Sequence, residues 1–194
     1  MQKTRNVGIL LFDDVEVMDF CGPFEVFSVT NEMNPNNPFN VFTVAEKEGP
    51  VYARNNLSIN PKYTIYNCPK LDVLIVPGGQ GSRKEMDNKA ILDWIELSYS
   101  NLELLLTVCT GALIIAKCGL LEDMVATTHH SSVDLLREIA PKTKIVKDRY
   151  VDNGKIILSG GISAGIDMSL YVIEKLLGKE AVLKTVDVME YGWM

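Results

Sequence analysis

Cys109 stands in the run Leu104-Leu105-Leu106-Thr107-Val108-Cys109-Thr110-Gly111-Ala112, where a continuous apolar stretch passes straight into small residues. That pattern describes a buried strand turning sharply into a helix. Such a turn presents a side chain at the top edge of a sheet, as a nucleophile elbow does. Gly111 removes a Cβ that would obstruct the turn, and a helix start behind the sulfur offers free N–H groups and the positive end of a dipole. Both favour the thiolate, the reactive form of cysteine. Position 107 is Thr rather than Gly, so the match to the hydrolase elbow is partial. A buried structural cysteine is the competing reading.

Other residues could serve that sulfur. Gly78-Gly79-Gln80-Gly81 follows an apolar run and fits neither G-x-G-x-x-G nor the phosphate loop with its Lys. It reads as a tight turn whose N–H groups point at the same spot as Cys109, an oxyanion hole, or as a plain strand-ending turn. Asp19 lies among apolar neighbours in Met18-Asp19-Phe20-Cys21. A carboxylate there is costly unless partnered, the alternative being a cap for a helix opening at Gly22-Pro23. His129 and His130 could supply a base to Cys109, or be ordinary surface or core histidines. Gly160-Gly161-Ile162-Ser163-Ala164-Gly165 lacks dinucleotide spacing and suits close helix–sheet packing. Asp13, Asp14, Glu16, Asp123 and Asp167 read as solvated charges or caps. Cys21, Cys68, Cys109 and Cys118 form no C-x-x-C pair, and two histidines add little, so no metal site is expected.

The elements that must position these residues follow from periodicity. Val7–Phe12, Val41–Ala45, Asp72–Val76 and Leu102–Val108 are short apolar runs of the kind buried on both faces of a parallel sheet. Val51–Ile65 alternates around Asn55-Asn56, a small hairpin. Helical spacing marks the segment from Gly22-Pro23, Ser82–Ser98, Gly111–Lys117, Val133–Ile139, Ser163–Leu177 (closed by Gly178) and Glu180–Glu190. Lys144–Val146 and Lys155–Leu158 read as short strands about an Asp152-Asn153-Gly154 turn. Strands alternating with helices predict an α/β fold with a mostly parallel sheet covered on both faces. Ligands then bind beyond the carboxyl ends of the strands, where the loops after the first, third and fourth runs converge.

Composition agrees. The 194 residues suit one domain over 1–194 with a large core, and 47% apolar with 23% charged residues is globular. A net charge of −6 with no basic stripe argues against nucleic-acid partners. No apolar run approaches the ~20 residues that span a bilayer. The six-residue run after Lys3 and Arg5 is too short for a secretory signal. A cytoplasmic protein with reduced thiols is expected.

The stretches VGILLFDDVEVMDFCGPFEVF, LDVLIVPGGQG, TVCTGALIIAKCGLL, ATTHH and LSGGISAGIDMSLY, from Val7 to Tyr171, resemble the ThiJ/PfpI family of the class I glutamine amidotransferase-like superfamily. The branch is similar to the isocyanide hydratases and to the amidase-like sensor domains of AraC-type regulators. The resemblance implies a flavodoxin-like three-layer sandwich, a homodimer, and a strained elbow cysteine falling on Cys109. It places the acidic partner on Asp19 and the following threonine on Thr110. It makes the Gly78-Gly79 turn a lender of an amide to the oxyanion site, and sets His129 near the cysteine. The protease-like branch has His directly after the nucleophile, so Thr110 argues against peptidase activity. No histidine follows His130, which argues against a glutaminase dyad. The chain ends at Met194 without the DNA-binding domain of the regulators, and DNA binding is not expected.

The activity expected on that footing is hydration of a small isocyanide to an N-substituted formamide through a Cys109 thioimidate, with no cofactor. Asp19 would move protons; Thr110 and the amides near Gly79 would orient water or stabilise charge. Another cysteine-dependent amidase, a cofactor-free glyoxalase, or a sensor in which Cys109 is oxidised or binds a ligand are the alternatives. An aspartate is shorter than a glutamate, so its partnership with Cys109 requires close backbone approach.

Overall fold

The structure, a computed structural model, describes residues 3–192. Its strands are β1 (Arg5–Leu11), β2 (Phe39–Ala45), β3 (Val51–Ala53), β4 (Leu57–Ile59), β5 (Tyr63–Thr64), β6 (Val73–Val76), β7 (Leu104–Val108), β8 (Val125–Ala126), β9 (Lys144–Ile145), β10 (Tyr150–Asp152) and β11 (Ile156–Ser159). Its helices are α1 (Val17–Glu32), α2 (Ser82–Glu85), α3 (Lys89–Tyr99), α4 (Gly111–Lys117), α5 (Val133–Ile139), α6 (Ala164–Leu177) and α7 (Lys179–Val188).

The main sheet has the order β10-β11-β7-β6-β1-β2-β5. Every pairing is parallel except β10 with β11. All residues of β6, β7 and β11 are buried, because both sheet faces are covered by helices. Each such Leu, Ile or Val contributes ~1.5–3 kcal/mol of burial. Chain direction across the sheet reverses between β1 and β6. With right-handed crossovers this sends α1 to one face and α3 to the other, and makes the β1/β6 boundary the switch point where ligands bind. The architecture is the expected α/β sandwich.

Four local details differ from the sequence reading. Helix α1 begins at Val17, not at Gly22-Pro23, and carries Pro23 within it. Pro23 lacks the N–H that would bond Asp19 O in a regular helix, so α1 forgoes one hydrogen bond there. The apolar stretch 82–98 is two helices, because Asn88 interrupts it and caps α3 by accepting from Ala90 N–H. The Asp152-Asn153-Gly154 turn joins β11 to β10 rather than to residues 144–146. Those residues instead pair β9 with β8 in a separate parallel pair. The β3–β4 hairpin forms as expected, with Asn55 and Asn56 both at positive φ.

Candidate active site

Three segments build the site, one after each of β1, β6 and β7. The loop leaving β1 is tied to the β6 turn: Val15 bridges Gly79, Glu16 N–H donates to Gly78 O at 2.9 Å, and Gly81 N–H to Asp14 O at 3.2 Å. This lashing sets the first turn of α1 against the β6 turn and aims Asp19 inward. Asp19 is not the helix cap. Glu16 holds that position, without a side-chain capping bond. Asp19 is 0% exposed, its Oδ2 accepts from Gly78 N–H at 3.0 Å, and Oδ1 has no well-formed hydrogen bond among the described residues.

Cys109 follows β7 at φ 56°, in the left-handed region that a residue with a Cβ occupies only under constraint. The constraint is visible. Its N–H is shared between Ser159 O and Gly160 O at 3.1 Å each, and its carbonyl accepts from Thr128 Oγ1 at 2.9 Å. A side chain at Gly111 would run into Val76 O, so the elbow needs glycine there, as its position suggests. Gly78 has the same necessity for the site itself. A Cβ would lie 2.6 Å from Thr110 Oγ1 and 2.9 Å from Asp19 Oδ2. This is the close backbone approach that the short aspartate requires.

Asp19 and Cys109 are coupled. Burial, opposed by the Gly78 N–H and reinforced by Glu16, raises the Asp19 carboxyl to about 7. Burial and then the Asp19 charge push the Cys109 thiol up to about 12, against the N–H groups of Thr110 and Ile162, which favour the thiolate. The expectation that the helix start brings out the thiolate therefore needs correction. The amides do favour the thiolate, but a buried sulfur beside an ionised carboxyl holds its proton. The two groups titrate as a pair that loses one proton near 7, from the carboxyl, and the next near 12, from the sulfur, and a side-chain hydrogen bond links them in between.

Thr110, Gly78 and Gly79 are at the site, with employment other than expected. Gly79 N–H donates to Thr110 Oγ1 at 3.0 Å, and Thr110 Oγ1 lies 3.1 Å from Gly79 O and 2.9 Å from Ser82 Oγ. Gly78 N–H is committed to Asp19. Neither glycine amide is left to face an oxyanion, because each holds a site side chain in place. His129 lines the chamber around Cys109, half-buried, with Nδ1 2.8 Å from Ser131 Oγ and accepting from Ser131 N–H at 3.3 Å. Burial, followed by His130 and Arg83, lowers its pKa. His130 is exposed and packs on His129 at 4.2 Å between centroids. Asp123 lies away from this cluster at a positive-φ turn, and Asp167 pairs with Arg149.

Three contributors escape the sequence reading. Ile162, at φ 42°, turns its N–H onto the sulfur. Ser82 fixes Thr110. Arg83 lines the chamber beside Gly79 and Cys109. The glycine pair before Ile162 was the available signal: it marks a special turn, and Gly161 lets the His129 ring lie directly against the backbone. The helix–sheet packing expected of this stretch falls to Gly165, which abuts Val108. The cavity around Cys109 measures about 70 Å³ and includes Glu16, Arg54, Arg83, Thr110, His129 and Ile162. Among the described residues no cluster of His, Cys, Asp and Glu could hold a metal, and no helix is long and apolar enough to cross a membrane.

Residues 5–175 match the DJ-1/PfpI family. The chain belongs to the DJ-1/PfpI family. This DJ-1/PfpI chain is 35% identical over 173 residues to the isonitrile hydratase of Pseudomonas putida, covering 89% of this chain and 72% of that one. It is also 27% identical over 177 residues to the HTH-type transcriptional regulator CdhR of Pseudomonas aeruginosa, covering 91% of this chain and 52% of the regulator. It thus spans about half the length of that regulator. A crystal structure of a ThiJ/PfpI family protein from Pseudomonas syringae superposes with a TM-score of 0.90 at 26% identity, over 100% of this chain and 77% of that one. Drosophila melanogaster DJ-1beta shares the fold at a TM-score of 0.86 and 21% identity, over 98% of this chain and 100% of that one.

Proposed function

We propose that this DJ-1/PfpI protein is a cysteine-dependent enzyme that hydrates a small isocyanide to an N-substituted formamide. The observation carrying this reading is the coupled pair of Asp19 and Cys109, buried together at a strained elbow. The similarity to an isonitrile hydratase supports the substrate class.

The reaction needs one nucleophile and one group that gives and retakes a proton, with no redox change. In the singly ionised pair, the Asp19 carboxylate takes the thiol proton, the freed sulfur forms a bond to the terminal carbon of R–NC, and the Asp19 carboxyl delivers that proton to the carbon. The product is a thioimidate, R–N=CH–S. The Asp19 carboxylate then takes a proton from water as its oxygen adds to the same carbon, and passes that proton to nitrogen. Collapse of R–NH–CH(OH)–S breaks the C–S bond, returns the electron pair to sulfur and the hydroxyl proton to Asp19, and releases R–NH–CHO. The Thr110 and Ile162 amides steady the sulfur whenever it carries charge. The Thr110 hydroxyl holds the Gly79 turn.

The test is a panel of cyclohexyl isocyanide, methylglyoxal and a primary amide, followed by proton NMR. Formamide production that vanishes in Cys109→Ala is expected. Turnover of methylglyoxal or the amide alone would replace this reading with the glyoxalase or amidase one.

A further inference from the structure

The chain has five arginines, and four of them meet a carboxylate: Arg5 with Glu103, Arg54 with Glu16, Arg137 with Asp134 and Arg149 with Asp167. The exception is Arg83, which has no carboxylate within ion-pair distance among the described residues, and it is the one placed at the nucleophile. Its guanidinium donates to Gly79 O at 3.3 Å and to Ser132 Oγ at 2.8 Å, and it lines the same cavity as Cys109. A guanidinium carries five donors in a planar fork, so two neutral acceptors leave most of it unused.

The surroundings do not neutralise it. Glu16, the carboxylate on the cavity wall, accepts from Arg54 at 2.5 Å. His129, its pKa lowered first by burial and then by His130 and Arg83, supplies no counter-charge. A half-buried cation with no counter-ion, facing a cavity built around a nucleophile, is suited to a planar anion, which a guanidinium binds through two parallel hydrogen bonds.

We infer that Arg83 is an anion anchor, and that the molecule on which Cys109 acts carries a carboxylate. This rests on the reading of Cys109 as the nucleophile of the cavity, and it narrows the substrate class to small carboxylate-bearing electrophiles. Arg83 then sets specificity and orients the reacting carbon toward the sulfur.

Two measurements test it, one of them independent of the isocyanide reaction. The first compares alkylation of Cys109 by iodoacetate and by iodoacetamide, where the S–C bond forms and iodide leaves. The ratio of rates is divided by the same ratio for glutathione, and the site is assigned by peptide mass. The normalised ratio is expected to favour iodoacetate by about tenfold or more, the scale of a charge-assisted hydrogen bond. It should fall to about unity in Arg83→Gln, which retains donors for Gly79 O and Ser132, and should be largely kept in Arg83→Lys. The second compares kcat/KM for isocyanoacetate and its methyl ester. A preference for the acid that disappears in Arg83→Gln, chiefly through a raised KM for the acid, supports the anchor, and a preference that survives the substitution opposes it. If the alkylation ratio is the same in wild type and a folded Arg83→Gln, the anchor is overturned whatever the isocyanide result. If the ratio responds but neither isocyanide is hydrated, the anchor stands and the isocyanide reading falls.

Discussion

Gly78 N–H donates to Asp19 Oδ2 at 3.0 Å, and through that single bond the turn after β6 holds a carboxyl from α1 against the Cys109 thiol after β7. Three strand ends thus meet in one coupled pair. Its first proton leaves near 7 and its second near 12. Below about 7 both groups are protonated and the sulfur is unreactive. Above it, the pair holds one charge, on the carboxyl, which then takes the thiol proton as the sulfur attacks.

The alkylation rate of Cys109 is therefore expected to rise with pH to a plateau beginning near 7, and to climb again only toward 12. Asp19→Asn removes the carboxylate that takes the thiol proton, so the plateau should vanish and the rate should rise through the alkaline range of an isolated buried thiol. An iodoacetamide pulse at a series of pH values, read by peptide mass, separates Cys109 from Cys21, Cys68 and Cys118. A wild-type profile indistinguishable from that of Asp19→Asn would show that the two groups are not coupled. Turnover of an accepted substrate should fall ~10²-fold or more in Asp19→Asn.

The same carboxyl makes stability depend on pH. Its folded value of about 7 lies above the 3.8 of an unfolded aspartate, so folding is favoured while both forms are protonated. That contribution is lost as pH rises from about 4 through 7, because the unfolded chain ionises first. The loss is bounded at about 4 kcal/mol by the linkage of pKa to free energy. Chemical denaturation at pH 5 and pH 8.5 should show a drop in the wild type that is much smaller in Asp19→Asn. An equal drop in both proteins would place the destabilisation elsewhere.

Gly78→Ala probes the close approach. The new Cβ meets Thr110 N, lies 2.6 Å from Thr110 Oγ1 and 2.9 Å from Asp19 Oδ2. Overpacking of this kind costs ~1–3 kcal/mol. Moving the acid by a fraction of its reach should lower turnover by ~10²-fold. Thermal melting and kinetics on one preparation check both, and a variant with full activity would remove Gly78 from the site.

A homodimer is expected. Met18 on α1 and Tyr52 and Leu57 on the β3–β4 hairpin are exposed large apolar side chains of the kind a second copy would cover. Light scattering at micromolar concentration should give twice the 21.6 kDa chain mass. The single-chain mass would oppose it.

Much of this was legible in the chain. The apolar runs ending at Phe12, Val76 and Val108 define the buried strands, and the small or charged residues just after them define the site edge. Cys109, Gly111 and Asp19 were readable because an elbow needs glycine behind it and a carboxylate among apolar residues needs a reason. The direction of the thiol shift was not readable, because it depends on how deeply sulfur and carboxyl are buried together. The Gly78 and Gly79 amides were misread because sequence cannot say which acceptor an N–H meets. Ile162, Ser82 and Arg83 were invisible as site residues because only the fold brings them to Cys109. Helix α1 starts early because Val15 and Glu16 are anchored to the β6 turn, a tertiary constraint that Gly22-Pro23 does not encode.

The most direct test of the central claim is a single-turnover reaction of excess protein with an isocyanide at pH 7.5, quenched in acid and analysed by peptide mass. The account predicts a transient adduct on Cys109 equal to the whole isocyanide, since addition expels nothing, decaying as the formamide appears. The adduct should form ~10²-fold or more slowly in Asp19→Asn. Formamide appearing at the wild-type rate in Cys109→Ala, or no adduct and no formamide in the wild type, would contradict it.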